Sequence, residues 1–242
     1  RIRQRRLFKF LTPTKKTRPE YFRLRPFEAS EREDFTRPDG ALERVIDWMT
    51  ATNEPVLYMS GASGTGKTSL LQAGLAPALV DRQWTVVFVR SMGEPLAGLT
   101  KSLRARPNLY RETPPEAADA RELMELANAE RARTGAAPIL IVVDQFEEFL
   151  ILDGVEEKAS YAGFLRDIAA RPLPNVRLLH VFREYYRALL FKLDLPHYER
   201  NNTAFELAPF SRRAAEQFPV NRPHALDSPG YDVLFRGLDR IE

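Results

Sequence analysis

Gly61-Ala62-Ser63-Gly64-Thr65-Gly66-Lys67-Thr68 stands between an apolar run over residues 56–60 and a leucine-rich run that begins after Ser69. A strand that feeds a glycine-rich turn and then a helix is an arrangement in which the backbone can wrap an anion. Glycines at 61, 64 and 66 allow the tight path that turns successive N–H groups inward, and the positive end of the following helix dipole strengthens the field there. Lys67 supplies a cation for the β- and γ-phosphates of a nucleotide. Thr68 offers a hydroxyl to Mg²⁺, which prefers oxygen ligands. The octapeptide together with Ser69 is therefore assigned to nucleotide binding, and Thr68 to the metal as well.

Five β-rich runs surround this loop, at 56–60, 85–90, 139–143, 176–182 and 204–207, and helical stretches alternate with them. That alternation builds βαβ units and a parallel sheet with helices on both faces, so the chain reads as an α/β protein of the P-loop NTPase class. A helix is expected over 68–81, with Pro77 ending or kinking it. Residues 91–115, with Met-Gly-Glu-Pro and Pro-Pro, read as loop. Helices are expected over 116–133, stopping at Gly135, and over 40–50, burying Leu42, Val45 and Ile46. A further helix at 184–192 would pack Tyr185, Tyr186 and Phe191 against the sheet. Ser211 reads as the N-cap of a helix over 212–217, and another helical element is expected over 229–241.

A chain of 242 residues can bury one substantial core, which favours one α/β domain with appendages. No apolar run approaches the ~18 residues of a membrane span, so a soluble protein is expected. There is no cysteine, which excludes a disulfide framework and thiolate zinc sites and suits a reducing cytoplasm. His180, His197 and His224 have no ligand spacing and read as structural or surface residues. Residues 1–25 hold ten Lys/Arg against Glu20 alone, a net +9 in a chain whose total is +3. Residues 1–20 read as a basic linker or arm, a form that can also meet nucleic acid. The first residue is not Met, in keeping with an excerpt of a longer protein.

The run Ile139-Leu140-Ile141-Val142-Val143-Asp144 is a buried parallel strand that ends in a carboxylate. Ligands of open α/β sheets gather at the carboxyl ends of strands, so Asp144 should share a crevice with Lys67 and hold Mg²⁺ alongside Thr68. Glu147 and Glu148 follow as candidates to orient or deprotonate an attacking water, with Glu147 preferred. Either could instead be a helix N-terminal acid. Arg183, after the fourth strand, could reach a γ-phosphate or pair with a nearby acid.

With both nucleotide motifs located, the chain resembles the STAND class of signal-transduction ATPases with numerous domains, in its novel STAND subclass. The resemblance spans 21–210. It rests on Leu24-Arg25-Pro26-Phe27-Glu28, on Ser69-Leu70-Leu71-Gln72-Ala73-Gly74-Leu75-Ala76-Pro77, on Val143-Asp144-Gln145-Phe146-Glu147-Glu148-Phe149 and on Phe205-Glu206-Leu207-Ala208-Pro209-Phe210. It implies an additional-strand core of three layers, with the fourth strand between the first and third. It also implies that Leu24, Arg25, Pro26 and Phe27 flank the adenine of ATP or ADP, with Arg37 nearby, although Thr36 stands where the subclass carries glycine. Further implications are a nucleotide switch, self-association on activation, effector and sensor domains elsewhere, and a role in bacterial antiviral defence or regulated cell death. Residues 211–242 would begin a helical lid or a following domain. The competing reading is a DNA-associated ATPase of the AAA+ or initiator type that uses the basic arm. A third reading is a nucleotide-stabilised scaffold that never turns over.

Overall fold

The computed structural model describes residues 26, 28–33, 35, 37–90, 94–193, 195, 196, 198–200 and 202–209. The expected arm at 1–20, three of the four adenine-flanking residues (Leu24, Arg25, Phe27) and the expected helices at 212–217 and 229–241 lie outside them.

Five strands form one sheet in the order β2-β3-β4-β1-β5, and every pairing is parallel. They are β1 (Val56–Gly61), β2 (Thr85–Arg90), β3 (Ile139–Asp144), β4 (Val176–Arg183) and β5 (Ala204–Glu206). The fourth strand lies between the first and third, as the additional-strand architecture requires. Residues alternate between the two faces, because side chains in a strand point to opposite sides. Tyr58 and Val56 join the core on one face, while Leu57 and Met59 join the core on the other.

The second face is covered by α1 (Ala41–Ala51) and by the helix that follows the phosphate loop. That helix has α2 (Lys67–Ser69), a π-helical stretch (Leu70–Leu75) and α3 (Ala76–Asp81). Pro77, expected to end or kink this helix, does not end it. In an α-helix the proline ring would strike the carbonyl four residues back. Here the ladder has already widened, with the Ala76 N–H donating to the Leu71 carbonyl, so the chain passes through the proline and stays helical. A Cβ on Gly74 would come within 2.9 Å of Leu42 and 3.0 Å of Phe35, so this glycine sets how closely α1 and the preceding segment approach.

The first face carries α4 (Pro95–Arg104), α5 (Ala120–Thr134), α6 (Phe146–Leu152) and α7 (Val155–Ala170). α4 lies in the segment expected to be loop. Pro95 begins this helix, a position where its missing N–H costs nothing, and Leu99 and Leu103 face the core. α5 starts later than expected because Asp119 and Glu122 form a capping box, and it stops at left-handed Gly135. After β4 the expected single helix is a 3₁₀ turn (Glu184–Tyr186) and a short α8 (Arg187–Leu190). Tyr186 packs partly on the core, but Tyr185 and Phe191 are 86% and 65% exposed and do not pack on the sheet.

His180 is structural, as expected. It is fully buried in β4, where its Nδ1 lies 3.3 Å from the Leu57 carbonyl and its Nε2 lies 2.9 Å from the Tyr161 hydroxyl. A carbonyl only accepts, so Nδ1 carries the proton and the ring is neutral. Burial lowers its pKa from 6.5 to about 4. Between those values the unfolded chain binds a proton that the native state refuses, so stability falls as pH drops through that window. Urea titrations at pH 7 and pH 5 should differ by ~2 kcal/mol on this account. Equal stability at both would contradict it.

Candidate nucleotide site

The C-terminal ends of β1, β3 and β4 bring the site together. Gly61 at the end of β1 is in register with Arg183 at the end of β4, and β3 ends at Asp144. These residues open on a cavity of about 380 Å³, lined among others by Ser63, Gly64, Lys67, Asp144, Glu147 and Arg183.

The loop takes the expected form. Gly64 and Gly66 have φ of 82° and 81°, in the left-handed region that side chains other than glycine rarely adopt. Gly61 is required for a different reason: a Cβ there would sit 2.6 Å from the Leu207 carbonyl oxygen. Gly61→Ala should therefore lower stability by ~1–3 kcal/mol, read as a fall of several degrees in Tm. An unchanged melting curve would refute that packing argument. Thr65 holds the turn, with its hydroxyl donating to the Ala62 carbonyl at 3.0 Å. Ser69 lines the cavity one turn further on, and Ala62 supplies carbonyl contacts within the loop.

Lys67 donates from Nζ to the Gly61 and Ala62 carbonyls, both at 2.8 Å. Burial lowers its pKa below the usual lysine value, and the Glu147 and Asp144 carboxylates oppose that shift. Asp144 shifts the other way. Burial raises its pKa, against the Gln145 N–H and the Thr68 hydroxyl, which both hydrogen-bond its carboxylate. The Thr68 hydroxyl is 3.2 Å from Asp144 Oδ2. Two hard oxygens this close, one of them a carboxylate whose ionisation burial disfavours, are the donor set that Mg²⁺ fits.

Glu147 is 8% exposed and its Oε1 lies 3.1 Å from Arg183 Nε. Its Oε2 is buried with no hydrogen-bond partner among the described residues. Glu147 lines the cavity, and a carboxylate there can orient a water and accept its proton. Glu148 is not among the cavity-lining residues and sits in the first turn of α6.

Pro26 lines the cavity. Arg37, expected near the nucleotide, is held against the phosphate loop by the protein's own groups. It is 7% exposed, and its guanidinium donates to the Thr65 carbonyl at 2.6 Å, to the Ala208 carbonyl at 3.0 Å and to Asp39. It clamps the phosphate loop to the chain after β5. Gln145, to which the sequence gives no site role, lines the cavity in a left-handed conformation, φ 57°. A non-glycine residue held there stores strain of ~1 kcal/mol or more, which is common at functional sites.

Residues 21–224 match the family described as Novel STAND NTPase 1, and the chain belongs to that family. It is 30% identical over 128 residues to the human ATPase SWSAP1, a match that covers 50% of this chain and 54% of that protein. The Walker-type ATPase paby2304 of Pyrococcus abyssi shares the fold with a TM-score of 0.57 at 17% identity, over 82% of this chain and 60% of that one. The Aeropyrum pernix ORC1 protein, solved in complex with DNA, aligns with a TM-score of 0.48 at 14% identity, over 78% of this chain and 50% of that one. The chain thus spans about half the length of the curated relative it matches. Among the described residues, no helix is long and apolar enough to cross a membrane.

Proposed function

We propose that this chain is the nucleotide-binding module of a STAND switch, which binds and slowly hydrolyses ATP and so controls self-association of a larger cytoplasmic protein. The observation that carries this reading is the convergence of Lys67, Asp144, Glu147 and Arg183 on one cavity at the carboxyl end of the sheet. The loop amides and Lys67 hold the β- and γ-phosphates, and the Arg183 guanidinium reaches the γ-phosphate. Thr68 and Asp144 would hold Mg²⁺, which supplies charge neutralisation at the phosphates when bound. Glu147 accepts a proton from water as its oxygen bonds to the γ-phosphorus. The bond from that phosphorus to the β–γ bridging oxygen breaks, and ADP and phosphate leave.

In this reading ADP holds a resting monomer, and ATP permits assembly that brings attached effector domains together, with bacterial antiviral defence or regulated cell death as the setting. Light scattering of the protein carrying this chain should give a higher mass with ATP and trigger than with ADP. Identical masses would refute the switch.

A second reading rests on the charge of residues 1–25. A DNA-associated ATPase would bind DNA with an affinity that falls steeply with salt, and much of that slope would go when residues 1–18 are removed. A flat DNA titration would exclude it.

A further inference from the structure

We infer that the ion pair between Glu147 and Arg183 is a lock that γ-phosphate opens, so that recognition of ATP and release of the water-activating carboxylate are one event. The inference rests on the reading of the site as an ATPase centre and concerns its regulation.

Arg183 Nε stands 3.1 Å from Glu147 Oε1, and both side chains line the cavity that the phosphate loop faces. The partners differ in exposure: the Glu147 side chain is 11% exposed and that of Arg183 is 51% exposed. The glutamate is buried at the start of α6, whereas the arginine lies at the end of β4 with its side chain half exposed, which leaves it the freer partner to move. While the pair holds, the Glu147 Oε1 is engaged by the guanidinium and is not a free acceptor for water.

A γ-phosphate is a second anion offered to the same guanidinium, with more charge and a geometry that suits a planar fork. When Arg183 turns to it, the Glu147 Oε1 is released as an acceptor for water in the cavity that Glu147 lines. ADP has no γ-phosphate to compete for Arg183 and leaves the pair closed. ATP must break the pair in order to bind fully, so the pair reduces ATP affinity and leaves ADP affinity alone. The lock therefore sets the ratio of the two affinities, which is the quantity a switch protein has to fix.

A double-mutant cycle tests this on the full chain, with Mg²⁺ and competition binding of a fluorescent nucleotide against ADP and the non-hydrolysable β,γ-imido analogue of ATP. Glu147→Gln keeps the shape of the side chain and removes its charge. It should tighten the analogue about fivefold and leave ADP within about twofold. Arg183→Met keeps the aliphatic stem and should weaken the analogue relative to ADP. In that background Glu147→Gln should change the ratio by less than about twofold, because there is no pair left to break.

If Glu147→Gln tightens both nucleotides equally, or tightens the analogue as much in the Arg183→Met background as with the arginine in place, direct repulsion between Glu147 and phosphate explains the effect and the lock is overturned. If the wild-type chain binds neither nucleotide, the reading of the site itself fails, and the lock with it. Melting curves of the three variants verify that each is folded.

Discussion

Lys67→Ala is expected to lower the rate of phosphate release from ATP by about 10²–10³ and to weaken ATP and ADP binding together. Lys67 is the one residue of the loop that brings a full positive charge to the phosphates, and burial makes that charge count for more than it would in water. The loop should survive the change. Thr65 and Ala62 hydrogen-bond across the turn, Arg37 grips the Thr65 carbonyl, and the left-handed glycines need no lysine. Unfolding stability should fall by ~1–3 kcal/mol, since the charged hydrogen bonds to the Gly61 and Ala62 carbonyls are lost. Phosphate release and equilibrium binding, read beside a melting curve, separate lost binding from lost fold. Unaltered affinity would remove Lys67 from the site.

Glu147→Gln is expected to lower phosphate release by about 10²–10⁴ while ATP remains bound, because an amide of the same shape cannot accept a proton from water. Glu148→Gln should leave the rate within about twofold, since Glu148 is absent from the cavity lining. Opposite results for the two glutamates would reassign the base. No effect from either would favour the scaffold that never turns over.

Much of this site is legible in the sequence because its parts are local. The octapeptide at 61–68 carries the geometry of its own turn, and Val56, Leu57, Ile139, Ile141, Val142 and Val143 mark β1 and β3 by their apolar, mostly branched side chains. Two of the places where the sequence misleads involve proline. Pro77 reads as a stop or a kink, but the helix continues through it after a π-helical stretch. Pro95 reads as a loop, but as the first residue of α4 it favours a helix start.

What cannot be read locally is pairing across the sheet. Arg183 meets Glu147 because β4 inserts between β1 and β3, a placement set by the sheet order. The same holds for Arg37. The family resemblance implies that it lies near adenine, and only the folded chain shows it donating to the carbonyls of Thr65 and Ala208. Gln145 gives a faint signal, a polar residue wedged between a buried strand and a helix, and its left-handed backbone appears only in the structure.

The most direct test of the central claim is calorimetric titration of ATP into the full chain with and without Mg²⁺. The account predicts saturable binding with one nucleotide per chain, tighter with Mg²⁺, and a Mg²⁺ dependence that Asp144→Asn removes. Absence of saturable binding, or binding indifferent to both Mg²⁺ and Asp144, would contradict it.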